Sequence, residues 1–302
     1  MSIRFGVSPI AWINDDMPEL GAGTALSSVL ADARDIGFLG VEMGGTFPRE
    51  PVALRAVLGA YNLDLVGGWF GGGLLAHDAR TEIAGAREHV ALLHAMGCKV
   101  FIIAETSNAI HGARATPLSA GPRLSDETWP VFGERLTAFA DFIDEEGLRL
   151  AYHPHLGTVV ERPADVEALL RHTGEEVGLT LDTGHAALAG VDAIGLIRAH
   201  PGRIAHVHCK DIRGEVFARG EATGMSFLEG VLAGMFTAPG DGDLDWDALM
   251  GALADAGYEG WVVVEAEQDP AKADPKTYAA LGLATLEAAA AARGVAIDRR
   301  RR

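Results

Sequence analysis

Eight short apolar runs alternate with longer Ala- and Leu-rich stretches of helical periodicity, and this alternation constrains the chain more than any other feature. The runs are Ile3–Val7, Gly40–Met43, Leu63–Gly67, Val100–Ala104, Leu148–His153, Val177–Asp182, Ile204–His208 and Trp261–Glu265. Between and after them lie helical stretches near Ala25–Ile36, Val52–Ala60, Asp78–Met96, Asp126–Glu145, Pro163–Arg171, Ala193–Ala199, Ser226–Ala233 and Leu244–Ala256. Short runs bounded by turn residues and separated by helices read as parallel strands joined by crossovers. Eight such units close into an α/β (β/α)8 TIM barrel, and 302 residues fit one barrel domain spanning 1–302, ending in the helix Pro275–Ala292 and a short Arg tail.

Boundary residues agree with that frame. Gly37, Asn62, Gly97, Gly147 and Gly257 sit where helices end just before strands begin. Pro163 suits a first helical turn, and Ser125, Asp126 and Glu127 open the fourth helix with acids at its positive end. Gly71, Gly72 and Gly73 read as a flexible loop after strand three. Two long connections, Glu105–Leu124 and Lys210–Gly242, are expected to build or cover a site.

Charge and cysteine usage narrow the partners. A formal charge of −17 repels phosphate backbones and anionic lipid, which argues against nucleic acid and membrane surfaces. No apolar run is long enough to span a bilayer and no signal peptide is legible at the N-terminus. Cys98 and Cys209 form no CxxC pair or disulfide framework, which points to a reducing, cytoplasmic setting.

In a parallel barrel, chemistry gathers at the carboxyl ends of the strands. There the sequence places Glu42, Glu105, His153, His155, Asp182, His185, His206, His208, Lys210, Asp211, Glu265 and Glu267. His206, His208 and Lys210 share one strand face by the period of two, and such groups are costly to bury without a purpose. Asp182 precedes Thr-Gly-His and reads as a site carboxylate, with the N-cap of a following helix as the alternative and Gly184 allowing a tight turn. Glu265 and Glu267 read as site acids or solvated strand-end acids, and Cys209 as a packed small hydrophobe. Imidazoles and carboxylates without thiolate suit Mn, Co, Fe or Zn in an open site. Walker, nucleophile-elbow and EF-hand spacings are absent, and PGDGDLD at 239–245 reads as a loop capping the next helix.

The segments GVSPIAWINDDMPELG, VEMGGTFPR, GGWFGGGLL, YHPHLGT, LDTGHAALAG, HVHCKDIR, SFLEGVLAGMFTAPGDGDLD and GWVVVEAEQDPA cover nearly the whole chain. Together they resemble the myo-inosose-2 dehydratase family of xylose-isomerase-like barrels. The resemblance implies a divalent metal, manganese or cobalt, on Asp182, His208 and Glu265, with glutathione as a further candidate cofactor. Many relatives carry a Glu as the strand-five ligand, where this chain has His153. Glu42, Trp69 and Glu105 are read as substrate contacts, and Lys210, His155, His185 and Glu267 as candidate acids and bases. Neighbouring positive charge is expected to lower the Lys210 pKa and make it the base, with His155 or His185 as acid.

The activity implied is removal of water from a keto-inositol, a small polyol ketone, by a homo-oligomer. A metal cation would stabilise the enolate formed next to the ketone. The same residues leave open an isomerase or epimerase, in which the enediolate is reprotonated, and a non-catalytic sugar-binding barrel.

Overall fold

The computed structural model describes residues 2–299. Eight parallel strands, β1 (Ser2–Val7), β2 (Gly40–Met43), β3 (Asp64–Gly72), β4 (Val100–Glu105), β5 (Arg149–Tyr152), β6 (Val177–Asp182), β7 (Ile204–Cys209) and β8 (Gly260–Val264), pair in chain order. Five paired positions, from Ile3 opposite Gly260 to Val7 opposite Val264, join β8 back to β1 and close the barrel. A two-residue strand, Ala296–Ile297, runs parallel to β1 after the helix Pro275–Ala292.

The period of two sorts each strand. Outward residues such as Val41, Leu65, Phe101, Leu179, Val207, Val262 and Val264 join the main apolar cluster beneath the helices. Inward residues form small layers, Val66 with Trp261 and Val263, and Val100 with Ile102 and Ala151. Arg4 stacks on Trp261 at 4.2 Å. Gly40 makes room for that indole, since a Cβ there would lie 2.7 Å from the ring edge. One inward step toward the carboxyl ends lie Glu42, Asp182, His208 and Glu265, with His153 just past β5.

Several sequence expectations need correction. Strand three continues through Gly72, so Gly71 and Gly72 are not loop: they pair with Ala104 and Glu105. A Cβ on Gly72 would come 2.9 Å from Ile103, which explains glycine there. The fourth helix starts at Thr128, with no side-chain cap from Glu127. The helix Gly214–Glu221 was not expected, and Thr183–Ala189 was foreseen only through the N-cap reading of Asp182. Gly184 is helical, not a tight turn; a Cβ there would lie 2.8 Å from Lys210 Cγ, so it admits the lysine stem. Expected helix ends fit well: Gly37, Gly97, Gly147 and Gly257 all have positive φ, and Asn62 does so at 55°.

The long connections fold into a wall with its own core. Met17 from the loop after β1, Leu118 from the loop after β4, Leu156 after β5, and Phe227 and Phe236 after β7 pack together. Leu118 N–H donates to the Met225 carbonyl at 3.0 Å, joining two of these loops. Within the last, Asp211–Ile212 and Phe236–Thr237 form a small antiparallel pair. PGDGDLD wraps Asp211, whose carboxylate accepts from Gly240 N–H, Leu244 N–H and Trp246 Nε1–H, and Asp245 caps the helix Trp246–Asp255. No helix among the described residues is long and apolar enough to cross a membrane. Of the expected Arg tail, Arg299 pairs with Glu287 at 2.9 Å, and Arg300–Arg302 lie outside the described residues.

Candidate active site

A cavity of about 780 Å³, counting its solvent-open mouth, lies at the carboxyl ends of the strands. Its wall includes Glu42, Trp69, His153, His155, His208, Glu265 and Glu267. Most of the polar side chains singled out in the sequence meet at this floor. Asp182 and Lys210 lie directly behind it, fully covered.

Asp182 caps the following helix with one carboxylate oxygen and leaves the other free. Its Oδ1 accepts from Gly184 N–H and His185 N–H, each at 2.9 Å, and so caps the helix Thr183–Ala189. Its Oδ2 is buried without any hydrogen-bond partner. Facing that oxygen at 3.6 Å each are His153 Nε2 and His208 Nδ1. Both rings have their other nitrogen engaged: His153 Nδ1–H donates to the Pro154 carbonyl at 2.8 Å and His208 Nε2–H donates to Glu42 Oε1 at 3.0 Å. When neutral, each ring therefore turns a lone pair toward Asp182 Oδ2. Glu265 Oε2 adds a fourth electron-pair donor, 2.9 Å from His208 Nδ1 but without hydrogen-bond geometry.

Converging lone pairs on a buried anion repel unless positive charge lies among them. Burial acts to lower the His208 pKa, yet Glu42 and Glu265 overcome it and hold the ring well above the ordinary imidazole range. A proton or a divalent cation satisfies the same demand. The geometry thus fits a cation, with His153, Asp182 and His208 offering donor atoms within 4.8 Å of one another and Glu265 alongside.

Glu42 lies where the register between β2 and β3 slips, a bulge that re-aims its side chain. Its Oε1 also accepts from His206 Nε2–H at 2.8 Å. Burial raises its pKa, but the two histidines outweigh that and keep it ionised. Glu42 thus orients His208 from behind as well as lining the cavity.

Lys210 departs from expectation. Its Nζ lies 2.7 Å from Glu265 Oε1, 3.2 Å from Glu267 Oε2 and 3.8 Å from Asp182 Oδ2. Burial disfavours the ammonium, but these carboxylates raise its pKa above the ordinary lysine value instead of lowering it. The cavity is therefore not electropositive around Lys210, which stays charged. Glu267 is pushed up to about 7, chiefly by burial, with Lys210 partly opposing, and its Oε1 is unpartnered. Neither it nor Glu265 is the solvated acid one sequence reading allowed. Leu156 N–H donates to His185 Nδ1 at 3.2 Å, so neutral His185 carries its proton on Nε2, beside Lys210 Nζ. Burial and neighbouring cations hold His155 and His185 well below the usual imidazole range.

Glu105 does not belong to this constellation. Its carboxylate accepts from Leu75 N–H at 3.2 Å and Ser107 N–H at 2.9 Å, tying two loops together, and it does not line the cavity. Trp69 does line it, edge-on to His153 and His155. Cys209 is buried in the main apolar cluster, as expected. The sequence reading missed Asp15, Asp16 and His111, which reach the cavity from the loops after β1 and β4. The paired acids in GVSPIAWINDDMPELG, just beyond a strand end, were the available signal.

A closed eight-stranded barrel with imidazoles and carboxylates at its carboxyl face defines the class. Residues 30–289 match the model of the xylose isomerase-like TIM barrel family, to which the chain belongs. It is 44% identical over 294 residues to the rhizopine catabolism protein MocC of Rhizobium meliloti, covering 97% of this chain and 90% of that protein. It is also 39% identical over 280 residues to an inosose dehydratase of Erwinia tasmaniensis, covering 92% and 94%. A xylose isomerase domain protein from Alicyclobacillus acidocaldarius shares the fold, with a TM-score of 0.69 at 19% identity over 97% of this chain and all of that one. Within the barrel family the chain groups with the inosose dehydratases and is an enzyme of the dehydratase type.

Proposed function

We propose that the enzyme removes water from 2-keto-myo-inositol to give a trihydroxycyclohexane-1,2-dione, as a step of inositol catabolism. The observation that carries this reading is the convergence of His153, Asp182 and His208 donor atoms, with Glu265 beside His208, next to a proton-handling carboxylate. The likeness to the inosose dehydratases supplies the substrate class. His153, Asp182, His208 and Glu265 would hold a divalent cation, manganese or cobalt. Such an ion, when bound, supplies Lewis acidity that stabilises negative charge on a ketone oxygen.

The remaining chemistry belongs to the chain. Glu267 faces the cavity with a pKa of about 7, suited to taking and returning a proton near neutrality. It accepts the proton from the carbon beside the ketone and delivers it to the departing β-hydroxyl, which leaves as water. Lys210, fully covered, holds Glu267 and Glu265 in place. His155 and Trp69 form the wall that orients the ring. Two buried, unpaired cysteines fit a reducing cytoplasm.

With manganese and 2-keto-myo-inositol, ultraviolet absorbance should rise as the conjugated product forms. Solvent-proton exchange without that rise would instead indicate an isomerase, and binding without either would indicate a silent barrel. Glu267→Gln should abolish both exchange and absorbance change while manganese affinity persists. The likeness to MocC favours a second reading, in which this site serves a substrate of rhizopine catabolism; a manganese-loaded enzyme inert toward 2-keto-myo-inositol would favour it.

A further inference from the structure

The donor cluster accounts for one part of the cavity wall, and the loops after β1 and β4 add polar groups that the cluster does not use. Asp16, from the loop after β1, is exposed and lines the cavity; His111 and Lys210 act on its carboxylate through charge, and no hydrogen bond or ion pair among the described residues uses it. Asp15 beside it is occupied, accepting from Gly45 N–H at 2.9 Å. His111, from the loop after β4, also lines the cavity, and its Nδ1 is buried without a partner. Its ring is fixed edge-on against His155, 5.0 Å between centroids, and against Phe227.

The loops carrying both residues are held in place. Ile110 N–H, next to His111, donates to the Gly157 carbonyl at 2.8 Å. Asn14 Oδ1 accepts from Asp16 N–H and Met17 N–H, both at 2.8 Å, and Met17 is buried in the loop core. Glu19 and Arg114 join the two loops by an ion pair. A preorganised carboxylate with free lone pairs needs donors, and an imidazole fixed beside it can donate or accept. Hydroxyl groups satisfy both.

We infer that Asp16 and His111 form a second subsite that binds hydroxyls on the part of the ring remote from the donor cluster, and so make the enzyme specific for uncharged polyols. The wall supports the exclusion of anions: five carboxylates line the cavity, Asp15, Asp16, Glu42, Glu265 and Glu267, and no Lys or Arg does. A phosphate or carboxylate beside Asp16 would face its negative charge with no Lys or Arg in the cavity wall to contact. This inference rests on the polyol-ketone reading of the site but assigns the residues that read the polyol.

The test uses the manganese-loaded protein with Asp16→Asn and His111→Phe, the latter keeping the ring packing. Calorimetric binding of myo-inositol, a non-reacting polyol, should weaken about tenfold or more in each variant, the loss expected for a hydrogen bond involving a charged group or a buried partner. KM for 2-keto-myo-inositol should rise in parallel, with kcat changed far less. Inhibition by 2-hydroxycyclohexanone, which lacks the remote hydroxyls, should be unchanged, as should manganese affinity. Unaltered binding of myo-inositol, or equal weakening of 2-hydroxycyclohexanone, would overturn the subsite. If the unsubstituted enzyme fails to turn over 2-keto-myo-inositol yet loses myo-inositol binding on substitution, the proposed reaction falls and the subsite stands.

Discussion

Replacing Lys210 by Met tests whether the donor cluster is built around positive charge. Methionine keeps the unbranched stem that packs against Gly184 and under Phe236 while deleting the ammonium. In the native protein Nζ faces three carboxylates at 2.7, 3.2 and 3.8 Å. At an effective dielectric of about 20, each ionised partner contributes roughly 4–6 kcal/mol before desolvation is counted. Desolvating the ammonium cancels much of that sum. What decides the outcome is the state left behind: Asp182, Glu265 and Glu267 would be buried together without their shared counter-charge. Removing one partner from such a cluster costs about 3–5 kcal/mol.

The measurement is urea unfolding followed by tryptophan fluorescence at pH 8, where Glu267 is largely ionised, with and without manganese. Metal-free Lys210→Met should lose about 3–5 kcal/mol. A bound cation at 100 times its dissociation constant stabilises any competent protein by about 2.7 kcal/mol. At the same manganese concentration the variant should gain more than the unsubstituted protein, because its more negative site binds the cation more tightly. A metal-free loss below about 1 kcal/mol, well under the cost of breaking a buried pair, would refute the charge argument. So would a penalty that manganese leaves untouched.

Three further outcomes follow from individual side chains. Glu42→Gln should lower manganese affinity about tenfold or more by removing the anion that fixes His208, and calorimetry with unchanged affinity would show that Glu42 does not orient that ring. Glu105→Ala should destabilise the protein by about 1–3 kcal/mol through two unpaired loop N–H groups while leaving KM and manganese affinity unchanged; a raised KM would restore it as a substrate contact. Glu267 has a folded pKa raised above its unfolded value of 4.5, so the folded state binds more protons between those values and its contribution to stability falls as pH rises from about 4.5 to about 7. Metal-free Glu267→Gln should therefore gain stability relative to the unsubstituted protein across that window, and parallel pH profiles in urea would contradict the assignment.

Sequence periodicity was enough to define the barrel because burial on strands and helices obeys fixed local periods. Alternating residues on β1 to β8 face either the helical layer or the barrel interior, and the helix ends at Gly37, Gly97, Gly147 and Gly257 are conformational necessities at those positions. The same alternation placed Glu42, Asp182, His208 and Glu265 on the inner face of the carboxyl end. Local rules could not see that β3 runs on through Gly71 and Gly72, because that pairing depends on how closely β4 approaches.

Roles within the site were a different matter. Lys210 was legible as a site residue, but the sign of its pKa shift was not, since Asp182 and Glu267 lie far from it in sequence and their distances set the sign. Glu105 looked equivalent to the other strand-end acids until its two loop N–H partners were located. Asp16 and His111, 95 positions apart in the chain, share a cavity only because two long loops pack on a common core. The sequence by itself determined the barrel and most of the polar side chains gathered at the carboxyl ends of its strands, because each follows from a period or a strand end. Which of those side chains carries charge, which merely ties a loop, and which remote residues complete the cavity were decided by tertiary structure, because electrostatics and hydrogen bonding depend on distances that chain order does not encode.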